Sequence, residues 1–426
     1  MSVACPSLGG DGIEADVIVV GAGPAGSSTA AYLADRGLNV ALLEKTSFPR
    51  EKICGDGLTP RAVRQLVRMG IDVSDEKAWP RTKGLRVYAG RNAPLELPWP
   101  AIGEFPPYGL VRSRREFDQI MVDHAVARGA TLHQDTHVTA PVVDDRSGRI
   151  TGVQTADGRL FRAPIVVAAD GNSSRLAVGM GIQRRPHATI GVAIRTYFTS
   201  PHHDIEYLES WLDVHDAQGA ALPGYGWVFG LGDGTCNVGL GVINTAAVSR
   251  RTNYRALLDA WLATVPPSWG FSPDNQVGGL GSAALPMAFS RQPAYTRGLL
   301  LVGDSGGMIS PYNGEGIGYA IEAGEMAADA ITDAYFRGVG TPGAERALEG
   351  YPVRLSAAWG SYFRWGELFA WFIGHPAVMR ACVQHGLPRP VLMRMTMKWL
   401  SHLWDTRDGD WMDNVITLLT RMAPAL

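Results

Sequence analysis

The sequence predicts an α/β fold with three parts: a Rossmann dinucleotide-binding domain discontinuous along the chain, an inserted antiparallel β-sheet domain for substrate, and a helical C-terminal region. Three observations predict it. The β-branched run Asp16-Val-Ile-Val-Val20 leads into Gly21-Ala-Gly-Pro-Ala-Gly26, an alanine-rich helix to about Arg36, and a second apolar run ending at Glu44. Two later apolar runs end in Asp170-Gly171 and in Gly303-Asp304. Between them lie alternating stretches punctuated by glycine, such as Gly224 to Val242, which read as antiparallel strands. The expected division is residues 1–75, 105–178 and 291–340 for the nucleotide domain, 76–104 and 179–290 for the substrate domain, and 341–426 for the helical region.

At 426 residues the chain can bury a large core, and its net charge of −2 gives no field that would draw nucleic acid. Cys5, Cys54, Cys236 and Cys382 form no CxxC pair, which excludes a disulfide framework and a structural zinc site and suits a reducing cytoplasm. No histidine pair has metal-ligand spacing with acidic partners, so no metal is expected; His202-His203 reads as an exposed turn. The first fifteen residues have neither a basic start nor an apolar run, so no signal peptide is expected. No apolar stretch reaches the ~20 residues of a spanning helix.

The first unit has the context that gives GxGxxG its meaning: a strand before it, a helix after it, an acid at the next strand end. Gly21 permits the tight turn, Gly23 lets a pyrophosphate approach the backbone, and Gly26 allows close helix–strand packing. Ala25 lies on the same turn, whose free N–H groups favour phosphate. Glu44 can accept hydrogen bonds from a ribose diol, with Lys45 beside it. In Lys52-Ile-Cys-Gly-Asp-Gly-Leu-Thr-Pro60, Thr59 and Pro60 read as the N-cap and first residue of a helix, and Asp56 as structural.

"VVAADGNSSRLA" (166–177) and "LLLVGDSGGMISPYNGEGIGYAIEAG" (299–324) resemble the later signatures of glutathione-reductase-like flavoproteins of the aromatic-hydroxylase type. The resemblance implies FAD, with Asp170 and Gly171, Gly303 and Asp304, and the turn Asn313, Gly314, Glu315, Gly316 and Ile317 around its ribityl chain and isoalloxazine ring. Arg114 of "VRSRREFDQIM" matches an arginine near the flavin phosphate, Arg112 less well.

"FPREKICGDGLTPRAV" (48–63) and "LPGYGWVFGLGDGTCNVGLG" (222–241) resemble the geranylgeranyl reductase family, most closely its menaquinone-reducing branch, from about Asp16 to Gly350. Gly230 stands where many members have proline. The resemblance implies reduction of an isoprene double bond in a polyprenyl lipid, of which the menaquinone side chain is the expected one. Cys54, with Lys52 and Gly55, would lie beside flavin and substrate. Cys54 is a candidate proton donor or gate, and Tyr225 a competing proton source.

Tyr225, Trp227 and Phe229 alternate on one strand face and would build an apolar wall about 14 Å long at ~3.4 Å per residue. Pro311 joins them as a substrate contact. A flavin monooxygenase or halogenase of a small aromatic substrate is the alternative on the same fold, although the halogenase Trp-x-Trp-x-Ile-Pro pattern is absent. A non-catalytic prenyl-lipid-binding protein is another.

No second GxGxxG unit is present for NAD(P)H, so the electron donor is a transiently bound nicotinamide or a ferredoxin-like protein. Six of the twelve tryptophans lie beyond Ser356, and no carboxylate falls between Glu367 and Asp405, where Arg380, Arg389, Arg394 and Lys398 do. Leu368–Trp404 is therefore expected to supply an interfacial helix, making the protein peripheral on the inner face of the cell membrane.

Overall fold

The computed structural model describes residues 12–89, 93–215, 219–244, 253–386 and 388–423. Cys5 lies outside them. At the centre is a six-stranded sheet in the order Tyr295–Thr296, Leu299–Leu301, Ile165–Ala168, Val17–Val20, Val40–Leu43, Thr131–His133. All pairings are parallel except the Tyr295–Thr296 edge. Val17–Val20 and Val40–Leu43 are buried throughout, as strands covered on both faces must be. Alternation sorts their side chains. Val17, Val19, Val40 and Leu42 join the core beneath the helices Pro24–Asp35, Arg114–Ala127 and Ile317–Phe336. Ile18, Val20, Ala41 and Leu43 face a small sheet built from Ile13–Glu14, Leu160–Arg162, Ile150–Thr155 and Val138–Val143.

A seven-stranded sheet carries the other half, in the order Gln276–Pro286, Ile190–Thr199, Thr235–Ile243, Gly224–Gly230, Tyr207–Trp211, Gly84–Tyr88, Leu95–Pro98. It is antiparallel apart from the Tyr207–Trp211 and Gly84–Tyr88 pair. Its outer face buries Val228, Val238 and Leu240 against the helix Tyr254–Leu262. On that side His202 is no exposed residue: it stacks on Trp269 at 3.7 Å between ring centroids and meets buried Glu209 at 2.9 Å. A three-stranded ribbon, Gly57–Leu58, Gly109–Val111 and Arg81–Thr82, joins the two large sheets next to the cysteine loop.

The C-terminal helices dock on this body through their aromatic residues. Trp359 is fully buried and meets Tyr319 edge-on at 5.1 Å, and Trp399 donates to the Tyr312 hydroxyl at 2.9 Å. Lys398, expected to face lipid head groups, is instead buried and paired with Asp410 at 2.9 Å and Asp413 at 2.8 Å. Its partners come from the capping box of the last helix, Trp411–Arg421, beyond the carboxylate-free stretch. Among the described residues no helix is long and apolar enough to cross a membrane, and no cluster could hold a metal.

Candidate functional site

One continuous cavity of about 1730 Å³ runs between the two large sheets and under the C-terminal helices. It exceeds the ~300–1,000 Å³ of an ordinary small-molecule pocket, so it has room for two ligands side by side. Of the cofactor and substrate residues singled out from sequence, all line its wall except Gly26, Glu315 and the weaker candidate Arg112.

The nucleotide end shows why these residue types are needed. Gly21 has φ +99°, and a Cβ there would collide with the Ala169 carbonyl. A Cβ on Gly26 would collide with the Gly21 carbonyl, so this glycine sets helix–strand spacing rather than touching a ligand. The helix Pro24–Asp35 starts at Gly23 with no side-chain cap, leaving its first N–H groups directed at the cavity. Glu44 accepts from the Ala22 amide at 3.0 Å and from Thr46 at 3.1 Å, which holds its carboxylate at the end of the strand. Arg114 forms a buried bidentate pair with Asp118 at 2.6 and 2.8 Å, and Asp118 also binds Arg50 at 2.9 Å. Arg112 points elsewhere, to Glu116 and the Ala78 carbonyl.

The middle of the cavity is ringed by carboxylates held by backbone turns. Asp170 accepts from Ser305 at 2.9 Å and from the Leu176 amide at 3.3 Å, and burial raises its pKa. Asp304 is raised by burial too, with Lys52 and Arg114 pulling it back. Its carboxylate receives no hydrogen bond among the described residues, as suits a group waiting for a polyol. Beyond it the helix Ile317–Phe336 begins at Gly316, again without a side-chain cap. The buried Glu315 carboxyl beside this turn is pushed up to about 7 by burial; Thr59 donates to it at 2.5 Å. Thr59 thus precedes its helix as expected but makes no capping hydrogen bond.

The far end is apolar. Tyr225, Trp227 and Phe229 form a wall with ring centroids 6.0 and 6.3 Å apart. The next strand makes room for it: Gly239 and Gly241 lie opposite Trp227 and Tyr225, and the Trp227 ring lies across both glycines. Leu285, Pro311, Phe369, Ile373 and Leu392 continue the lining towards the surface. The helical contribution from 369–400 is one that reading the sequence missed; its apolar spacing looks the same whether it faces core or cavity.

Cys54 stands where the two ends meet. Its thiol accepts weakly from the Asp56 amide at 3.5 Å, and Gly55 lies against Phe229 and Trp227. Burial raises the thiol pKa, against the pull of Arg114, so the group is a neutral S–H at neutral pH. Tyr225 differs in one respect: its hydroxyl is committed to the Asn313 carbonyl at 2.7 Å, and burial pushes it up to about 12. Cys236 is fully buried in the outer core, and Cys382 is exposed at the cavity mouth.

The uncapped helix starts, the glycine cradle and the unpartnered Asp304 fit an extended dinucleotide carrying a flavin. Fold and site together define an FAD-dependent oxidoreductase. Residues 14–232 match the FAD binding domain family. The chain is 33% identical over 406 residues to the menaquinone reductase of Mycolicibacterium smegmatis, covering 94% of this chain and 95% of that one. It is 27% identical over 331 residues to the digeranylgeranylglycerophospholipid reductase of Methanosarcina acetivorans, covering 76% of each. Among solved structures, a geranylgeranyl bacteriochlorophyll reductase-like protein of Thermoplasma acidophilum superposes with a TM-score of 0.71 at 22% identity, over 90% of this chain and 99% of that one. A flavin-dependent brominase shares the fold as well, with a TM-score of 0.69 at 17% identity over 96% and 98%. The chain belongs to the geranylgeranyl reductase family of FAD-dependent oxidoreductases.

Proposed function

We propose that the protein saturates an isoprene double bond of a polyprenyl lipid, with the menaquinone side chain as the substrate that its relatives favour. The observation that carries this reading is the joining of a dinucleotide cleft to an apolar chamber in one cavity, with a thiol at the junction. A prenyl chain has almost no hydrogen-bonding groups, so an aromatic and aliphatic tunnel is the site that it needs.

Bound and reduced, FAD supplies the hydride. The protein's own work is to align one double bond along the Tyr225–Trp227–Phe229 wall, exclude water and provide a proton. Cys54 fits the last task better than Tyr225, whose proton already serves the Asn313 carbonyl. The S–H bond breaks as the C–H bond forms on the alkene carbon that does not receive hydride. The thiolate left behind is stabilised by the Arg114 charge and regains its proton from water. The Tyr225 hydroxyl, donating to the Asn313 carbonyl, holds the Asn-Gly-Glu-Gly turn in place, where it would lie beside the flavin ring.

The reading is tested with reduced holoenzyme under anaerobic conditions. Adding a tetraprenyl alcohol, which lacks a quinone head that could take electrons itself, should reoxidise the flavin and yield a dihydro product. Reoxidation by a small phenol with oxygen, and none by the prenyl alcohol, would move the protein to the monooxygenases.

Access to such a lipid places the cavity mouth at the bilayer. Around that mouth Leu368, Trp371, Phe372 and Leu392 are exposed, alongside exposed Arg389 and Arg394. The last helix adds a stripe at helical spacing, Trp411, Val415, Leu418 and Met422, each 37–66% exposed. Apolar side chains with basic neighbours suit the surface of anionic membranes. Flotation with anionic vesicles should carry the wild-type protein, and Trp371→Ser with Leu392→Ser should cut the bound fraction about tenfold. Wild-type protein left wholly unbound at low salt would remove the membrane from the account. The electron donor remains a nicotinamide or a ferredoxin-like protein in this proposal.

A further inference from the structure

The face of the seven-stranded sheet that looks into the cavity carries a polar row next to its aromatic wall. Tyr197, Asn237 and Phe229 are directly opposite one another on adjacent strands; Arg195, Gly239 and Trp227 form the neighbouring row. In a sheet so apolar, the buried Arg195 and Asn237 and the half-buried Tyr197, polar side chains on one face, call for partners. They find them along the cysteine loop.

Arg195 donates to the Lys52 carbonyl at 3.1 Å and reaches Glu51 at 3.3 Å. Asn237 donates to the Cys54 carbonyl at 2.8 Å and to Asp56 Oδ2 at 2.7 Å. Tyr197 donates to the same Asp56 oxygen at 2.6 Å, while the Arg114 amide donates to Oδ1 at 3.1 Å. Together the three tie the loop down at Glu51, Lys52, Cys54 and Asp56, with Asn237 and Tyr197 sharing one oxygen of Asp56.

Asn237 is the centre of this arrangement. It is fully buried, and its carbonyl oxygen accepts from Trp227 Nε1 at 2.9 Å. Both of its amide hydrogens are therefore spent on the loop and its oxygen on the aromatic wall. A tryptophan N–H can only donate, and a main-chain carbonyl and a carboxylate can only accept, so the amide orientation has a single solution. Asp56 is equally constrained. It is fully buried at φ +68°, a left-handed conformation rare outside glycine, and persists there because three donors from three elements converge on its carboxylate. Its own amide is the one that meets the Cys54 sulfur.

We infer that Asn237 and Asp56 are positioning residues: they couple the wall that receives the prenyl chain to the loop that carries Cys54, so that the thiol is aligned by the same sheet that aligns the double bond. The inference rests on the proposed roles of Cys54 and Trp227. It implies that the loop cannot shift relative to the wall without breaking buried hydrogen bonds. A chain that displaces Trp227 would be felt at the thiol through one amide.

The test uses FAD-loaded protein and two readouts: hydrogen–deuterium exchange of the 52–58 amides, and kcat and KM for a tetraprenyl alcohol. Asn237→Asp sets a carboxylate against Asp56 and removes the donor to Cys54; Asp56→Asn replaces one of the two acceptor oxygens by a donor amide, so the three hydrogen bonds to this side chain can no longer all form. Each is expected to speed exchange in the loop about tenfold and to lower kcat about tenfold, with KM within about threefold of wild type, as loss of alignment and not of binding requires. The double variant Asp56→Asn with Asn237→Asp can rebuild the central hydrogen bond in the opposite direction, and should recover a substantial part of both losses. Where a single exchange variant fails to load FAD, Tyr197→Phe, which deletes one hydroxyl, should still give a smaller change of the same kind in both readouts. Unchanged loop exchange in the single variants, or a double variant no better than either one, would overturn the inference. Loop exchange that responds as expected in a protein whose Cys54→Ala form turns over normally would leave the coupling standing and refute the role given to the thiol.

Discussion

Replacing Gly26 with alanine should abolish flavin retention. The added Cβ would lie well inside contact distance of the Gly21 carbonyl and 3.1 Å from the Ala169 side chain. The first of these is backbone and cannot rotate away. The helix Pro24–Asp35 must then move off the central sheet, and the Gly21–Gly23 turn moves with it. Overpacking of this kind costs about 1–3 kcal/mol where a core can adjust, and here the adjustment falls on the pyrophosphate cradle itself. We expect at least a hundredfold weaker FAD binding, about 2.7 kcal/mol, read as a colourless protein after gel filtration. Gly26 does not line the cavity, so the loss would arise through spacing alone. A yellow Gly26→Ala protein with wild-type FAD content would show that the turn tolerates a displaced helix.

The second large effect is expected from Cys54→Ala. Flavin content should hold, because the supports proposed for the cofactor, the uncapped helix starts at Gly23 and Gly316 and the carboxylates Glu44 and Asp304, are left intact. Turnover on a prenyl substrate should fall about 10²-fold or more, the usual worth of a positioned acid. Tyr225→Phe should behave differently. It deletes the hydroxyl that holds the Asn313 carbonyl, so its loss should appear as a looser turn and a smaller fall in rate. Stopped-flow measurement of flavin reoxidation by a prenyl alcohol separates the two. Cys54→Ala at the wild-type rate would leave the thiol as a bystander.

The parts legible in the sequence are those whose function depends on backbone shape. Gly21, Gly23 and Gly26 announce themselves because a tight turn, an open approach to the backbone and a close helix–strand contact each need a residue without a side chain, and the strand before them and acid after them complete the local pattern. The aromatic wall was equally readable, since a strand's two-residue period places Tyr225, Trp227 and Phe229 on one face with no knowledge of their surroundings. Residues whose meaning comes from another element were not readable. Asp56 looks structural in sequence, and only the opposing sheet reveals it as the point where Tyr197 and Asn237 converge. A signal was available in the strand Thr235–Ile243, where Asn237 falls in phase with Gly239 and Gly241 on a face that must be covered. The C-terminal tail misled for a related reason. Its run of basic residues without nearby carboxylates suggested a lipid-facing surface, yet Lys398 finds Asp410 and Asp413 after the chain has turned back. Composition within a window cannot see an ion pair closed by the next helix. What remains exposed is narrower than the tail: the cavity rim and one stripe of the last helix.

The central claim is that this cavity adds two hydrogens to a prenyl chain. The most direct measurement is mass spectrometry of the lipid quinones from an actinobacterial host lacking its own menaquinone reductase, with and without this chain. The account predicts menaquinone heavier by one pair of hydrogens on expression, with fragments placing the gain in the side chain, and no gain with Cys54→Ala. Menaquinone of unchanged mass in cells containing the FAD-loaded protein, or a gain confined to the ring, would contradict it.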